Sequence, residues 1–268
     1  MKFLYPSSML KATKVDEHFE NEVQMLDEKP VLYSEVEDRL LLRGENIEGT
    51  TIVYRGWILT CEAYSRINEL IVAHGGKMLV SPEAYVRSQF AEGWINTFED
   101  LTPKTFCYPY STDTETIGKD FVESELSYVV KGSSKSLKHD WDNSMFAKNG
   151  SDVSRIINNF KNQVNENEES TILVREFENW LPGELRVWWL NDNFTISQHP
   201  NNESFVDFGT EFEDFLNRSV KTKIIELDAR VVSSDFVRDE SGIFRLVEIG
   251  NGQVSGANDF EEVLQLFK

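Results

Sequence analysis

Residues 50–81 constrain the fold more than any other stretch of the chain. "TTIVYRGW" (50–57) is a compact β-branched and aromatic run and reads as a strand. "CEAYSRINELIVAHGG" (61–76) puts Tyr64, Ile67, Leu70 and Ile71 on one helical stripe and ends on Gly75–Gly76, a helix stop. "KMLVS" is a second strand, and Pro82 suits the first turn of the next helix, "PEAYVRSQF". A strand–helix–strand series of this length predicts a parallel βαβ unit.

The remainder reads differently. "LTPKTFCYPYS" (101–111) carries two prolines and turn residues, which places a boundary near 100–112. We therefore expect an N-terminal α/β subdomain over 1–110 and a second body over 111–268. In that body "LSYVVKG" and "TILVREF" read as strands, and "SDVSRIINNFKNQV" as a helix capped by Ser151 or Asp152. "NENEES" reads as a solvated loop. "ELRVWWLNDNFTIS" reads as two strands joined by the Asn-Asp-Asn turn at 191–193. "GTEFEDFLNRSV" reads as a helix capped by Thr210, with Phe208, Phe212, Phe215 and Leu216 facing inward. The segment from "KIIELDARVV" to "FRLVEI" supplies two or three strands around an Asp-Glu-Ser-Gly turn. The expected class is α+β, antiparallel-rich, behind an α/β start.

Composition narrows the chemistry. With 268 residues, 40% of them hydrophobic and 12% aromatic, the chain can bury a sizeable core. No apolar run approaches the ~18 residues of a membrane span. Pro6 and Asp16 arrive too early for a secretory signal core, so a cytoplasmic location is the expectation. Cys61 and Cys107 have no CxxC spacing, and none of the four histidines pairs with another at a zinc spacing. Zinc chemistry and Cys/His nucleophilic catalysis are disfavoured. A net charge of −19 repels phosphate backbones and argues against bulk nucleic-acid binding. One local exception stands out: "KGSSKSLKH" places Lys131, Lys135 and Lys138 within eight residues.

Those lysines begin the candidate site. Lys131 ends a strand, where one ammonium can reach a phosphate, and the amide-rich "GSSKS" could cover phosphates. No GxxxxGK[ST] pattern is present. The ordinary reading is a solvated strand-end lysine. "TILVREF" is either an edge strand with a charged tip or a hinge whose backbone pairs with an adenine edge. Arg186, alone among apolar residues in "ELRVWW", is either paired with a carboxylate or aimed at an anion. Asp235 and Glu248 end neighbouring strands, and Asn251 follows in "VEIGNGQVSG". Two carboxylates and an amide suit Mg²⁺, which takes oxygen ligands and shares itself with nucleotide phosphates. The plain alternative is a solvated hairpin with polar ends.

In this order and spacing, "VVKGSSKSLKHDW", "VREF", "LRVWWL" and "VEIGNGQVSG" resemble the ATP-grasp superfamily. They are most similar to a phage and bacterial clade with a GQVSG-like ending and an upstream "RGW" strand, matched here by Arg55, Gly56 and Trp57. "LPGELRVWWLNDNFTISQ" is also similar to the eukaryotic ATP-grasp family that assembles translation initiation factor two. The resemblance covers roughly residues 50–260.

The resemblance implies an ATP-grasp fold, two α+β lobes clasping ATP, preceded by the α/β subdomain. It implies that Lys131 contacts the α/β-phosphates and that Leu173, Val174, Arg175 and Glu176 form the adenine hinge. Lys135 and Lys138 would lie in the phosphate-covering loop. Arg186 would hold the γ-phosphate or transferred group, Arg55 would face the acceptor, and Asp235, Glu248 and Asn251 would bind Mg²⁺. Many ATP-grasp enzymes place the amide two residues after the glutamate; here it comes third.

The implied activity is an ADP-forming carboxylate–amine ligase. A carboxylate attacks the γ-phosphate to form an acyl phosphate, and an amine or other nucleophile displaces the phosphate. The acceptor would be a small molecule, a peptide or a protein. An ATP-binding module for protein assembly and a phage-type RNA-modifying or RNA-ligating enzyme are the alternatives; a phage-encoded chain would work in the host cytoplasm.

Overall fold

A computed structural model of the chain describes residues 1–134, 136–164 and 169–268. Lys135 and the first four residues of "NENEES" lie outside the described residues. The chain divides into two compact units. The first comprises Met1–Ser88, Gly183–Asp235 and Ile249–Lys268, the second Gln89–Pro182 and Phe236–Glu248.

The first unit opens with five strands, β1 (Lys2–Pro6), β2 (Val31–Val36), β3 (Arg39–Arg43), β4 (Thr51–Tyr54) and β5 (Lys77–Met78), ordered β3-β2-β1-β4-β5. β1 is parallel to β2 and β4, and β4 is parallel to β5; only β2–β3 is antiparallel. The helix Cys61–Ala73 carries the chain from β4 to β5, so the expected βαβ unit is present. The Thr60 side chain accepts from Ala63 N to cap it, and Tyr64, Ile67 and Ile71 are its buried stripe. Gly75 ends it with φ +76°, a left-handed turn that lets Gly76 N donate back to Ile71 O.

A second sheet lies in the second unit: β6 (Thr105–Pro109), β7 (Tyr128–Gly132), β8 (Phe146–Ala147) and β9 (Thr171–Glu176), ordered β6-β9-β7-β8 and paired antiparallel. Its core gathers Val130, Ile172 and Val174 with Val153, Ile156, Ile157 and Phe160 of the helix Val153–Gln163. The third sheet contains β10 (Leu185–Leu190), β11 (Asn193–Gln198), β12 (Val231–Arg238) and β13 (Phe244–Asn251), ordered β11-β10-β12-β13. β10 and β11 form the expected hairpin, closed by Asn191 and Asp192, with Asn191 at φ 55°. Trp188 packs with Phe260, Val263 and Leu264.

Several local expectations fail for identifiable reasons. Asp152 holds the N-cap position of the helix Val153–Gln163, as expected, but makes no capping bond there with its side chain; the 3₁₀ turn before it, Gly150–Asp152, is capped by Asn149. Asp152 uses its carboxylate on Lys148 N and Arg155. Thr210 is the first helical residue of Thr210–Phe215; Gly209, at φ 74°, takes the cap position. Of the four residues expected to face inward there, Phe215 is half-buried and the others are buried. "KIIEL" is helix Lys221–Leu227, not strand. Val220, Ile224 and Leu227 are buried while Ile225 is exposed, a helical period that outweighs the β-branched composition. Glu169, read as part of a solvated loop, is only 2% exposed. Among the described residues no helix is long and apolar enough to cross a membrane.

Gly150 donates its N–H to Ser124 O, and a Cβ there would lie 1.6 Å from Phe121 O. Backbone cannot swing aside as a flexible side chain can. Gly150→Ala should therefore destabilise the chain by about 1–3 kcal/mol, read as a lower urea midpoint. An unchanged midpoint would refute this account of the turn.

Candidate functional site

In the second unit, β7 delivers Lys131 opposite Leu173 of β9. Lys131 Nζ donates to Glu248 Oε1 at 2.9 Å; its side chain is 13% exposed and that of Glu248 42%. Burial raises the Glu248 carboxyl, but the Lys131 ammonium, then Arg175 and Lys138, hold it below the ordinary glutamate range. Three cations thus act on one carboxylate. Lys138 opens an exposed 3₁₀ turn.

Arg175 is buried, donating from Nε to Thr105 Oγ1 and from Nη1 to Val247 O, with its guanidinium 6.0 Å from the centre of the Trp94 ring. Its Nη2 is buried without a hydrogen-bond partner. Burial pushes the Arg175 pKa down, against the pull of Glu248, Cys107 and Glu178. An incompletely satisfied buried donor suits an anion that brings its own acceptor atoms.

The start of the lysine-bearing loop is anchored by carboxylates. Glu169 accepts from Ser134 N (2.8 Å), Ser134 Oγ (3.2 Å) and Ser170 N (3.0 Å). A Cβ at position 132 would meet Glu169 Oε2 at 2.2 Å, so Gly132 makes room for that carboxylate. Ser133 Oγ donates to Glu92 and accepts from Ala91 N. Leu137, on the other side of the loop, is buried in the second unit's core.

β9 is a central strand, paired with β6 on one side and β7 on the other. Leu173, Val174 and Arg175 therefore have no backbone edge left to pair with a base, and Glu176 N donates to Lys104 O. The edge-strand reading is corrected, and of the four hinge candidates Leu173, Val174 and Arg175 have their backbone spent within the sheet.

In the first unit, Arg186 forks onto Asp235, Nε to Oδ1 at 2.7 Å and Nη2 to Oδ2 at 2.8 Å, and its Nη1 donates to Gly256 O. Of the two readings of Arg186, the structure shows the carboxylate pair. Its Nη2 also lies 3.1 Å from Nε2 of His199, which is buried. Glu184, His199 and Asp235 have ligand atoms within 4.8 Å of one another, a grouping of the kind that holds a cation. Here the guanidinium of Arg186 is such a cation.

Arg55 is only 3% exposed. It pairs with Glu22 through Nε and Nη2, and its Nη1 donates to Gly252 O and Ser255 O. Its donors hold the loop after β13 in place of facing an acceptor. Asn251 is fully buried: Nδ2 donates to Ser88 Oγ, and Oδ1 accepts from Gln253 N and Nε2. Gln253 in turn accepts from Tyr54 N and donates to Tyr64 Oη. An amide oxygen that already receives two N–H groups does not suit Mg²⁺. Side chains three apart on a strand also point to opposite faces, which separates positions 248 and 251 in direction. Glu248 and Asp235 do suit a hard cation by donor type, each at present paired with a basic side chain.

Glu22, Glu92, Glu169, His199 and Gln253 escaped sequence reading. Their partners are distant along the chain, and only the presence of Gly132 hinted at a close approach.

Two outcomes follow. Glu169→Ala would strand the donors of Ser134 and Ser170, at about 1–3 kcal/mol in urea unfolding; no loss would mean the loop is not anchored there. The second concerns pH. A carboxyl held low in the folded chain stabilises above its unfolded value and loses that stabilisation as pH falls through the folded value. The stability gap between wild type and Glu248→Gln should be open at pH 7 and close below the ordinary glutamate range; a gap constant with pH would contradict the pairing.

The profile described as "ATP-grasp domain, R2K clade family 3" matches residues 116–267. No curated protein matches the sequence. Among solved structures, the chain is similar to D-cycloserine synthetase DcsG, with a TM-score of 0.63 and 10% identity over 94% of this chain and 91% of that one. It is also similar to D-alanyl-alanine synthetase A from Vibrio cholerae O1 biovar eltor str. N16961, with a TM-score of 0.61 and 12% identity over 100% and 94%. A third, ATP-grasp ligase PsnB complexed with minimal precursor, Mg and ADP, gives 0.55 and 13% over 97% and 90%. Identities this low speak for the fold alone. With the profile covering more than half of its length, the chain belongs to the ATP-grasp domain family described as R2K clade family 3.

Proposed function

We propose that this chain binds ATP with Mg²⁺ and uses it as a ligase, activating a carboxylate as an acyl phosphate that an amine or other nucleophile then displaces. One observation carries the nucleotide part: Lys131 is held against Glu248 by a direct ion pair, and Arg175 of the same unit is buried one donor short, in a chain of net charge −19. Such a chain repels a nucleotide triphosphate everywhere except where its few cations are gathered. The similar structures, two synthetases and one ligase complexed with Mg and ADP, support the reaction class.

Lys131 is the residue we assign to the α/β-phosphates, and Lys138 and Lys135 are assigned to the loop that would cover them, Lys135 lying outside the described residues. Arg175 Nη2 is an unspent donor for the same anion. Glu248 and Asp235 are each assigned, by donor type, as an oxygen ligand for Mg²⁺, a cation that when bound would neutralise charge on the transferring phosphoryl group. Asn251 and Arg55 are left to hold the loop at 251–256. Arg186 fixes the Asp235 carboxylate in one orientation. No nucleophilic side chain is required, because positioning and charge neutralisation supply the catalysis.

ATP with Mg²⁺ should raise the thermal stability of the chain, by about 2.7 kcal/mol at a hundredfold excess over Kd. Lys131→Ala and Glu248→Gln should each lose most of that shift while remaining folded. Absence of any shift with ATP, ADP or AMP-PNP would sink the nucleotide reading. Acceptor-dependent ADP release then separates a ligase from an ATP-binding assembly module, which would bind a protein partner without it.

A further inference from the structure

We propose that Lys131 makes divalent-metal binding conditional on nucleotide: it occupies Glu248 until phosphates draw it away. This rests on the nucleotide reading above and adds an order of events to it. The pair is direct, Nζ to Oε1 at 2.9 Å, and half-shielded from water, so it is screened less than a surface ion pair. Glu248 is also under the influence of Arg175 and Lys138. A bare divalent cation approaching that carboxylate meets the Lys131 ammonium already in contact with it. To bind there it must displace that ammonium or share the carboxylate with it.

Nucleotide changes this. A triphosphate brings several negative charges and acceptor oxygens for Lys131 Nζ and for Arg175 Nη2, which is buried without a partner. Once the ammonium turns to a phosphate, the Glu248 oxygen is released as a ligand, and the phosphates supply further oxygens. Lysine suits this exchange. It is a point charge on a flexible stem and changes partners without dismantling a two-pronged contact, as arginine would have to. No bond is made or broken; two ion pairs replace one. By linkage, metal and nucleotide then tighten each other by the same factor.

The test is Mn²⁺ binding, followed by the electron paramagnetic resonance signal of free Mn²⁺, with and without a non-hydrolysable ATP analogue. Wild type should bind Mn²⁺ weakly alone and much more tightly with the analogue. Lys131→Met should bind Mn²⁺ without nucleotide about tenfold more tightly than wild type, and the analogue should then add little. Lys131→Arg should keep the metal out, because the charge remains. Adding Glu248→Gln to Lys131→Met should abolish the gain, locating the new metal at Glu248. Lys131→Gln, checked for folding by circular dichroism, gives a second neutral variant with the same expectation. Equal nucleotide-free Mn²⁺ affinity in wild type and both neutral variants would overturn the proposal. A wild type that binds no analogue at all would instead overturn the nucleotide reading, which the metal-alone comparison does not depend on.

Discussion

The arrangement turns on one electrostatic constraint: an acidic chain that is to hold a polyanion must concentrate scarce positive charge and keep it satisfied meanwhile. The sequence has 27 basic residues against 46 acidic ones. Lys131 meets that constraint by pairing with Glu248, Arg186 by forking onto Asp235, and Arg55 by binding Glu22 together with two loop carbonyls. Arg175 is the exception, buried and one donor short. Paired cations can wait in a partly buried place without a large desolvation penalty, whereas the unspent donor of Arg175 is a cost that a bound anion would relieve.

The three pairs divide by what frees them. Arg55 is locked by a fork and by carbonyls, and its loss would release the loop that Gln253 also anchors to Tyr54 and Tyr64. Arg186 holds Asp235 in a fork that fixes the carboxylate's orientation. Among the described residues Lys131 donates to one carboxylate, which is still partly open to water. That difference in geometry separates scaffold cations from one able to trade partners, although all three were candidate site residues: Lys131 for the phosphates, and Arg186 and Arg55 for catalysis.

Much of the fold was legible because its signals are local. The stripe of Tyr64, Ile67 and Ile71, the Gly75 stop and the flanking β-branched runs settle a parallel βαβ unit with no tertiary information. Helix Lys221–Leu227 was misread because "KII" favours strand by composition, while its burial pattern at Val220, Ile224 and Leu227 can be known only once a neighbour is in place. At the site, Lys131, Glu248, Arg186 and Asp235 were visible as lone charges closing or interrupting apolar runs. What could not be read was their pairing, since each partner is set by strands adjacent in space and distant in sequence. Asn251, a metal-ligand candidate by resemblance, has its amide bonded to Ser88 and Gln253, and Ser88 is a partner far away in sequence. Glu169 looked like one more acid in a polar loop, yet it is buried where Gly132 leaves space for its carboxylate.

The account's central claim is that phosphates displace Glu248 from Lys131. A crystal structure of the chain with a non-hydrolysable ATP analogue and Mg²⁺ measures this directly, through the distance from Lys131 Nζ to Glu248 Oε1. The account predicts that the 2.9 Å contact opens and that Nζ lies within hydrogen-bond reach of a phosphate oxygen. Nucleotide bound elsewhere, with the Lys131–Glu248 pair intact, would contradict it.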